Sequence, residues 1–242
     1  MRPCAVIPTY NNCTTLRRVV EEVATYVNDI IVVNDGSTDS TADILNNIAM
    51  PVEVITFDHN RGKGAALKAG IERARALGYT HAVTIDSDGQ HYPSDIPGLL
   101  EVAEAAPHAI ILGRRGTRHE NMAASSTFAN RFSNFWFTVQ TFKSPGDTQT
   151  GFRVYPIHRR LHFVTSRYEA ELAVLVDACW RGFSLISVPV KVYYPPVDER
   201  VSHFRPARDF ARISILNTCL CFLAVIYGYP SMAWHKFIKK NQ

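Results

Sequence analysis

A short apolar run, residues 82–85, is followed at once by two carboxylates, Asp86 and Asp88, one residue apart. An apolar run that stops abruptly at polar residues predicts a buried strand with an acidic end. Gly89 permits a sharp turn there, so both carboxylates can face one point. Oxygen ligands of this kind suit Mg²⁺ or Mn²⁺, with water and substrate phosphates in the remaining positions. A turn that binds no metal is the alternative for an isolated Asp-x-Asp.

Three other apolar runs precede this one, and each also ends in a polar loop. The runs are 4–7, 29–33 and 52–57, and the loops are 8–12, 34–41 and 58–64. Segments with helical spacing of apolar residues follow, so strand, loop and helix alternate. Such alternation predicts an α/β domain with a mostly parallel sheet and helices on both faces. The carboxyl ends of the strands then share one edge, where one ligand could touch all four loops.

The second half of the chain is less regular. Its predicted elements are a strand at 109–112, a helix at 125–140, a short strand after the loop 144–153, a helix at 169–180, and paired or bent strands around Pro189 in 184–194. A chain of 242 residues with 46% hydrophobic content is long enough for one sizeable domain with its own core.

The net charge and the cysteine content limit which cellular compartment and which binding partners are expected. A net charge of +4 is too weak to indicate nucleic acid, but it suits phosphorylated ligands or an anionic membrane face. The five cysteines lack zinc-type spacing, which predicts reduced thiols in a cytosolic protein. Arg2 and Pro3 lead directly into the first apolar run, so no signal peptide is expected.

The residues from Ile213 to Trp234 carry no charged side chain. The segment is long enough to span a membrane. An amide, a glycine and a proline within it, and basic residues on both flanks, fit a helix in the membrane interface at least as well. A helix packed on the domain's own core is the third alternative. We therefore divide the chain into a catalytic domain, 1–207, and a membrane-associating tail, 208–242.

The polar loops suit a nucleoside-diphosphate sugar. Its base would lie between the loops of Tyr10 and Asp35, with the Asp35 carboxylate accepting a hydrogen bond from the base or the ribose. Lys63, in a Gly-rich loop that opens a helix, would meet the phosphates. A divalent ion on Asp88, assisted by Asp86, would stabilise the departing diphosphate.

Two kinds of acceptor remain open. An alcohol needs a carboxylate to take its proton, and Glu169, Glu171 and Asp147 are the candidates. A phosphate arrives already ionised and needs arginines to position it, for which Arg115 and Arg131 are suited. Structural roles are the alternative for these residues: helix-end charges for the glutamates, a surface position for Arg131, and a turn contact for Asp147.

Five segments, in this order along the chain, resemble the signatures of family 2 inverting glycosyltransferases with the GT-A fold. They are residues 6–11, 33–39, 60–64, 85–90 and 147–153. Within that family the chain is most similar to the polyprenyl (dolichyl) phosphate mannosyl- or glucosyltransferases, over roughly residues 4–210. Longer members carry two clear membrane spans after the catalytic domain, and this chain departs from them there, which leaves the lipid acceptor open.

The resemblance implies transfer of a hexose from a donor of the GDP-mannose or UDP-glucose type to a polyprenyl phosphate. It implies peripheral or monotopic attachment at the cytoplasmic face of the membrane, with a soluble cytoplasmic location as the alternative. The implied nucleotide contacts are Pro8, Tyr10, Asn11, Asp35, Asp58, Asn60, Arg61, Gly62, Lys63, Asp86, Ser87 and Asp88. The implied ligands of Mg²⁺ or Mn²⁺ are Asp86 and Asp88. The implied phosphate and acceptor contacts are Gln90, Arg115, Arg131, Asp147, His203 and Arg205. The candidate catalytic residues are Asp86, Asp88, Arg131, Glu169 and Glu171.

Other functions share parts of this pattern. A hydroxyl acceptor, as in glycolipid or polysaccharide assembly, would keep the fold and the donor. A non-catalytic nucleotide-sugar or lipid-binding module would keep the sheet alone, and a nucleotidyltransferase would release pyrophosphate. A dehydrogenase is disfavoured because no Gly-x-Gly-x-x-Gly follows the first strand. The sequence identifies neither base nor sugar, and the apolar tail could also pair two protomers.

Overall fold

The computed structural model describes residues 1–116, 124–194 and 206–240. The strands are β1 (Pro3–Thr9), β2 (Ile30–Asn34), β3 (Glu53–Thr56), β4 (His81–Thr84), β5 (Ala109–Arg115), β6 (Arg153–Pro156) and β7 (Ser184–Val190). The helices are α1 (Leu16–Ala24), α2 (Thr41–Asn46), α3 (Lys63–Ala76), α4 (Ile96–Ala105), α5 (Ala124–Thr141), α6 (Ala170–Trp180), α7 (Pro206–Leu223) and α8 (Tyr229–Lys240).

The strands form one sheet in the order β3-β2-β1-β4-β6-β5-β7. All neighbouring pairs are parallel except those of β6, which runs antiparallel to β4 and β5. The predicted mostly parallel sheet is therefore confirmed. Because β6 runs in the opposite direction, its first residue lies at the sheet edge where β4 ends, and the loop before it can reach the acidic turn.

Helices cover both faces of the sheet, as predicted. Val6 and Ile7 are neighbours in β1, and they are fully buried in two different apolar cores because side chains alternate along a strand. Leu175 of α6 belongs to the first core, together with buried residues of α3 and the tail. Leu16 of α1 and Leu99 of α4 belong to the second.

The prediction of paired or bent strands around Pro189 is wrong. One strand, β7, runs through Pro189, and its one partner strand in the described part of the chain is β5. An edge strand tolerates proline because the missing N–H can face solvent, so the ladder loses no hydrogen bond. The chain leaves the strand after Val190, and Val192 then forms an isolated bridge with His91.

The C-terminal helices follow one another without a break. A five-residue π-helical segment, Ala224–Gly228, joins α7 to α8. Residues 211–238 form a helix long and apolar enough to cross a membrane by length and composition. Leu220 and Ala224 are nevertheless buried in the domain core. The predicted division at residue 207 falls inside α7, and it stays a prediction.

A substitution at Gly64 tests how closely helix α3 packs on helix α6. A Cβ at Gly64 would lie 2.3 Å from the Cβ of Ala170, so Gly64→Ala must force the two helices apart. We expect this change to lower the free energy of unfolding by about 1–3 kcal/mol, measured by urea denaturation.

Gly98 is the matched control, since it also lies inside a helix but a Cβ there would meet no atom within 4 Å. Gly98→Ala gains helix propensity and should raise the free energy of unfolding by up to about 1 kcal/mol. Equal effects of the two substitutions would contradict the close packing of α3 on α6.

Candidate active site

Side-chain hydrogen bonds join the loops that follow β1, β2 and β4. Asn12 Nδ2 donates to Ser87 Oγ at 3.0 Å, and Thr15 Oγ1 donates to the Ser87 carbonyl at 2.6 Å. Asn11 N donates to Ser37 Oγ at 2.9 Å. These loops therefore form one connected surface at the carboxyl edge of the parallel strands, as the sequence pattern predicts.

Asp35 connects the loop after β2 to the loop after β3. Its carboxylate accepts hydrogen bonds from Asn60 Nδ2 at 3.0 Å, Arg61 N at 2.7 Å and Gly62 N at 2.8 Å. Burial raises the pKa of Asp35, although the two backbone N–H groups oppose that change. Gly36 (φ +67°) allows the close approach, since a Cβ there would meet the His59 backbone at 2.3 Å. Asp35 thus fixes the loop that leads into α3.

Lys63, the first residue of α3, lies between two carboxylates. Its Nζ is 2.8 Å from Asp86 Oδ1 and 2.8 Å from Glu171 Oε2. Burial alone would lower the pKa of Lys63, but the charges of Asp86 and Glu171 raise it. Burial would likewise raise the pKa of Asp86, but the ammonium group lowers it. Lys63 and Asp86 therefore stay charged, and together with Glu171 they form an ion triad.

The loop before β6 packs directly on this triad. Thr84 Oγ1 donates to the Gly151 carbonyl at 2.8 Å. A Cβ at Gly151 would lie 2.3 Å from Asp86 Oδ2 and 2.9 Å from Lys63 Nζ, so a larger residue there would displace these side chains. The fully buried Arg153 donates to the Thr150 carbonyl at 2.7 Å and to the Glu171 carbonyl at 2.9 Å. Arg153 thereby joins this loop to α6.

Asp88 differs from Asp86 because it forms no ion pair with the residues that the structure describes, although the charges of Lys63 and Arg115 act to lower its pKa. Its Oδ1 accepts a hydrogen bond from Gln90 N at 3.0 Å. Burial and the nearby charge of Asp86 raise the pKa of Asp88 to about 6. An uncompensated carboxylate of this kind fits a divalent cation, which prefers oxygen ligands. The described part of the chain holds no group of three or more metal-binding side chains.

Arg115 and Asp147 form a bidentate ion pair. Nε of Arg115 is 2.7 Å from Asp147 Oδ2, and Nη2 is 2.9 Å from Oδ1. The carboxylate is fully buried and also accepts from Arg115 N and Gln149 N. Burial would lower the pKa of Arg115, but the hydrogen bonds to Asp147 raise it. Asp147 therefore positions a permanent positive charge.

A cleft of about 390 Å³ adjoins this pair at the ends of β5 and β7. It is lined by Tyr92, Arg114, Arg115, Gly116, Pro189, Val190, Lys191 and Val192. The lining combines three cationic side chains with apolar strand residues. Such a surface suits an anion that carries an apolar group.

The other predicted site residues differ in how far they are buried. Pro8 is buried within β1, Tyr10 and Gln90 are half-buried, and Asp58 and Arg131 are exposed. Glu169 immediately precedes α6, and its Oε2 is buried without a hydrogen-bond partner among the described residues. His203 and Arg205 lie outside the described residues.

His91 also lies in this region, although the sequence pattern did not predict a role for it. Only 6% of it is exposed, its ring packs on Phe152 with centroids 5.2 Å apart, and burial lowers its pKa to about 4. Its Nδ1 is buried without a hydrogen-bond partner in the described part of the chain. The position of His91 directly after Gln90 could have indicated it as a site residue. The sequence does not show, however, that its side chain turns inward.

The sheet order and the acidic strand end fit a GT-A fold. Residues 4–161 match the sequence model of glycosyl transferase family 2. The chain therefore belongs to glycosyltransferase family 2, and the resemblance found in the five sequence segments is confirmed.

Relatives and a solved structure agree with this assignment. The UDP-N-acetylglucosamine–dolichyl-phosphate N-acetylglucosaminyltransferase of Methanococcus voltae is 27% identical over 78% of this chain and 84% of its own length. The polyprenol monophosphomannose synthase of Mycolicibacterium smegmatis is 30% identical over 78% of this chain and 76% of its own length. The glucosyl-3-phosphoglycerate synthase of Mycobacterium tuberculosis, solved with Mn²⁺, UDP-glucose and phosphoglyceric acid, superposes with a TM-score of 0.67 at 17% identity, over 91% of this chain and 79% of that one. That likeness establishes the fold.

Lys63 tests the ion triad. Lys63→Met leaves Asp86 and Glu171 close together without their cation, and we expect it to lower the free energy of unfolding by about 3–5 kcal/mol. Lys68→Met, at an exposed position of the same helix, should stay within about 0.5 kcal/mol of the wild type. Chemical denaturation measures both, and similar losses for the two variants would show that the triad is not a buried charge group.

Proposed function

We propose that this chain is an inverting, metal-dependent transferase that moves a hexose from a nucleoside-diphosphate sugar to a polyprenyl phosphate. One juxtaposition supports the proposal most: an uncompensated carboxylate, Asp88, and a positioned cation, Arg115, share one edge of the sheet. The first suits a metal-bound diphosphate leaving group, and the second suits an acceptor phosphate. The names of two relatives, which act on dolichyl phosphate or polyprenol, agree with this acceptor class.

The donor site we propose lies on the loops tied together by Asp35 and Ser87. The base and ribose would contact Pro8, Tyr10, Asn11, Asp35, Asp58, Asn60, Arg61 and Ser87. The diphosphate would lie near Gly62 and Lys63, where the N-terminus of α3 favours an anion. Mg²⁺ or Mn²⁺, held by Asp88 and Asp86, would supply charge neutralisation of the departing diphosphate. The Mn²⁺ in the solved structure of a relative supports this choice of metals.

The acceptor phosphate needs no general base, because it is already ionised. Nε and Nη2 of Arg115 are turned toward Asp147, and we assign Nη1 to the acceptor. Arg131, exposed on α5, would add a second contact, with Gln90, His203 and Arg205 as further phosphate ligands. A phosphate oxygen then forms the bond to the anomeric carbon as the bond to the nucleoside diphosphate breaks on the opposite side.

A hydroxyl acceptor is the second candidate, and Glu169 favours it. Its buried Oε2 has no partner among the described residues, so it could accept a proton from an alcohol. Glu171 is less suited to that role because Lys63 already pairs with it. Asp147 is less suited because four N–H groups donate to it.

The proposed acceptor places the enzyme at a membrane surface. The predicted reduced cysteines suit the cytoplasmic side of that membrane. The names of two relatives, which include dolichyl phosphate and polyprenol, agree with a location at a membrane.

Nucleoside diphosphates provide the first test. We expect GDP or UDP with Mn²⁺ to raise the melting temperature, because binding to the native state at about 100 times Kd stabilises it by about 2.7 kcal/mol. GDP, UDP, CDP and dTDP are compared with and without Mn²⁺ by thermal shift.

Asp88→Asn should lose the metal-dependent part of that shift. Asp43→Asn, an exposed change on α2, is the control and should keep it. A shift that is unchanged in Asp88→Asn, or that needs no metal, would count against a metal at this carboxylate.

Glu169→Gln separates the two acceptor classes. With a phosphate acceptor we expect kcat to stay within roughly tenfold of the wild type, because no proton needs to be removed. With a hydroxyl acceptor the same change should lower kcat by roughly 10²–10⁴-fold. The readout is release of nucleoside diphosphate in the presence of acceptor, and release of pyrophosphate instead would indicate a nucleotidyltransferase.

A further inference from the structure

The helix of the tail, residues 211–238, exposes a mostly apolar outer face. In a helix on a water-soluble domain the apolar side faces the core and the polar side faces water. In the tail, the polar Asn217 is only 3% exposed and Ser231 Oγ donates to the Trp180 carbonyl at 2.7 Å. The large side chains exposed on the outer face are mostly apolar, and Thr218 and Lys236 are exposed as well; the apolar ones are Ile215, Phe222, Leu223, Val225, Ile226, Trp234 and Phe237. Ile226 is 77% exposed.

The inner face stays on the catalytic domain over the whole tail. Gln140 Nε2 of α5 donates to Asn217 Oδ1 at 3.0 Å. Gly228 lies so close to Trp180 that a Cβ there would be 2.4 Å from the indole. Further along, His235 lies against Gly182. Contacts at the start, middle and end leave no part of the tail free to cross a bilayer alone.

The charge of the tail favours an anionic surface. No Asp or Glu follows Asp209, whereas Arg212, Lys236, Lys239 and Lys240 do. Basic residues that flank an apolar face are attracted to lipid phosphates, and each adds to the affinity for an anionic leaflet.

We infer that the tail is a monotopic anchor, which lies in the plane of one anionic leaflet while its inner face remains docked on α5 and α6. This inference rests on the proposed function in one respect, because a lipid acceptor requires the enzyme to reach a membrane. A spanning tail is disfavoured by the Arg181–Asp177 ion pair at 2.8 Å, next to Gly182. If the docked tail crossed the hydrocarbon, this ion pair would enter it as well. If the tail undocked, Asn217 would be exposed to lipid instead.

Vesicle flotation tests the anchor without any donor or acceptor. Purified full-length chain is mixed with phosphatidylcholine vesicles that contain or lack phosphatidylglycerol. We expect the wild type to float with the anionic vesicles and less with neutral ones, and Phe222→Lys/Ile226→Lys to bind roughly tenfold or more weakly with an unchanged melting temperature. Val54→Lys, a similar change at an exposed position of β3, should bind like the wild type.

Three results would overturn the inference. Unchanged flotation of the double variant, or no flotation of the wild type, would remove the outer face as a lipid-binding surface. A dimer in light scattering that the double variant abolishes, without vesicle binding, would assign the face to a second copy. Nucleotide-dependent thermal shifts do not involve this face, so the donor site could stand while the anchor fails.

Protease access distinguishes lying on the membrane from crossing it. An epitope is added after Gln242, and the chain is expressed and studied in inverted membrane vesicles. We expect protease to remove the epitope from intact vesicles, because the C-terminus and the catalytic domain lie on the same side. An epitope that is protected until detergent is added would show a spanning tail and contradict the anchor.

Discussion

The ammonium of Lys63 holds the active-site edge together. Three segments distant in sequence supply this triad: the start of α3, the turn after β4 and the first turn of α6. Without the cation, Asp86 and Glu171 would be two neighbouring, poorly solvated carboxylates, an arrangement that strongly favours protonation or rearrangement. Gly151 packs directly on the same triad, since a Cβ there would lie 2.3 Å from Asp86 Oδ2 and 2.9 Å from Lys63 Nζ.

The same triad explains why two carboxylates one residue apart are chemically different. Asp86 is compensated by a protein cation, and its pKa is lowered. The pKa of Asp88 is raised to about 6 by burial and by Asp86, so it is the carboxylate that gains most from an added cation. On the other side of the edge, Asp147 fixes Arg115. The Asp88 carboxylate is thus available to the proposed metal of the donor, and the Arg115 guanidinium is available to the proposed acceptor phosphate.

Local sequence pattern predicted the parts of this arrangement that depend on neighbouring residues. The apolar runs gave the first five strands and, through their ends, the loops that meet at one edge. The pairing of Lys63 with Glu171 could not be predicted, because it depends on the packing of α6 against α3. Pro189 suggested a break in a strand, but an edge position removes the need for its hydrogen bond. The composition of the tail predicted its apolar character, whereas the docking of its inner face depends on contacts with α5 and α6.

Transfer to a lipid phosphate is the central claim, and a matched pair of acceptors tests it most directly. The wild-type chain is incubated with Mn²⁺, a radiolabelled nucleoside-diphosphate hexose, and either polyprenyl phosphate or the polyprenol of the same length. The account predicts labelled lipid, with equimolar nucleoside diphosphate, from the phosphate and none from the alcohol. Labelled product from polyprenol alone, or from neither lipid with any donor, would contradict it.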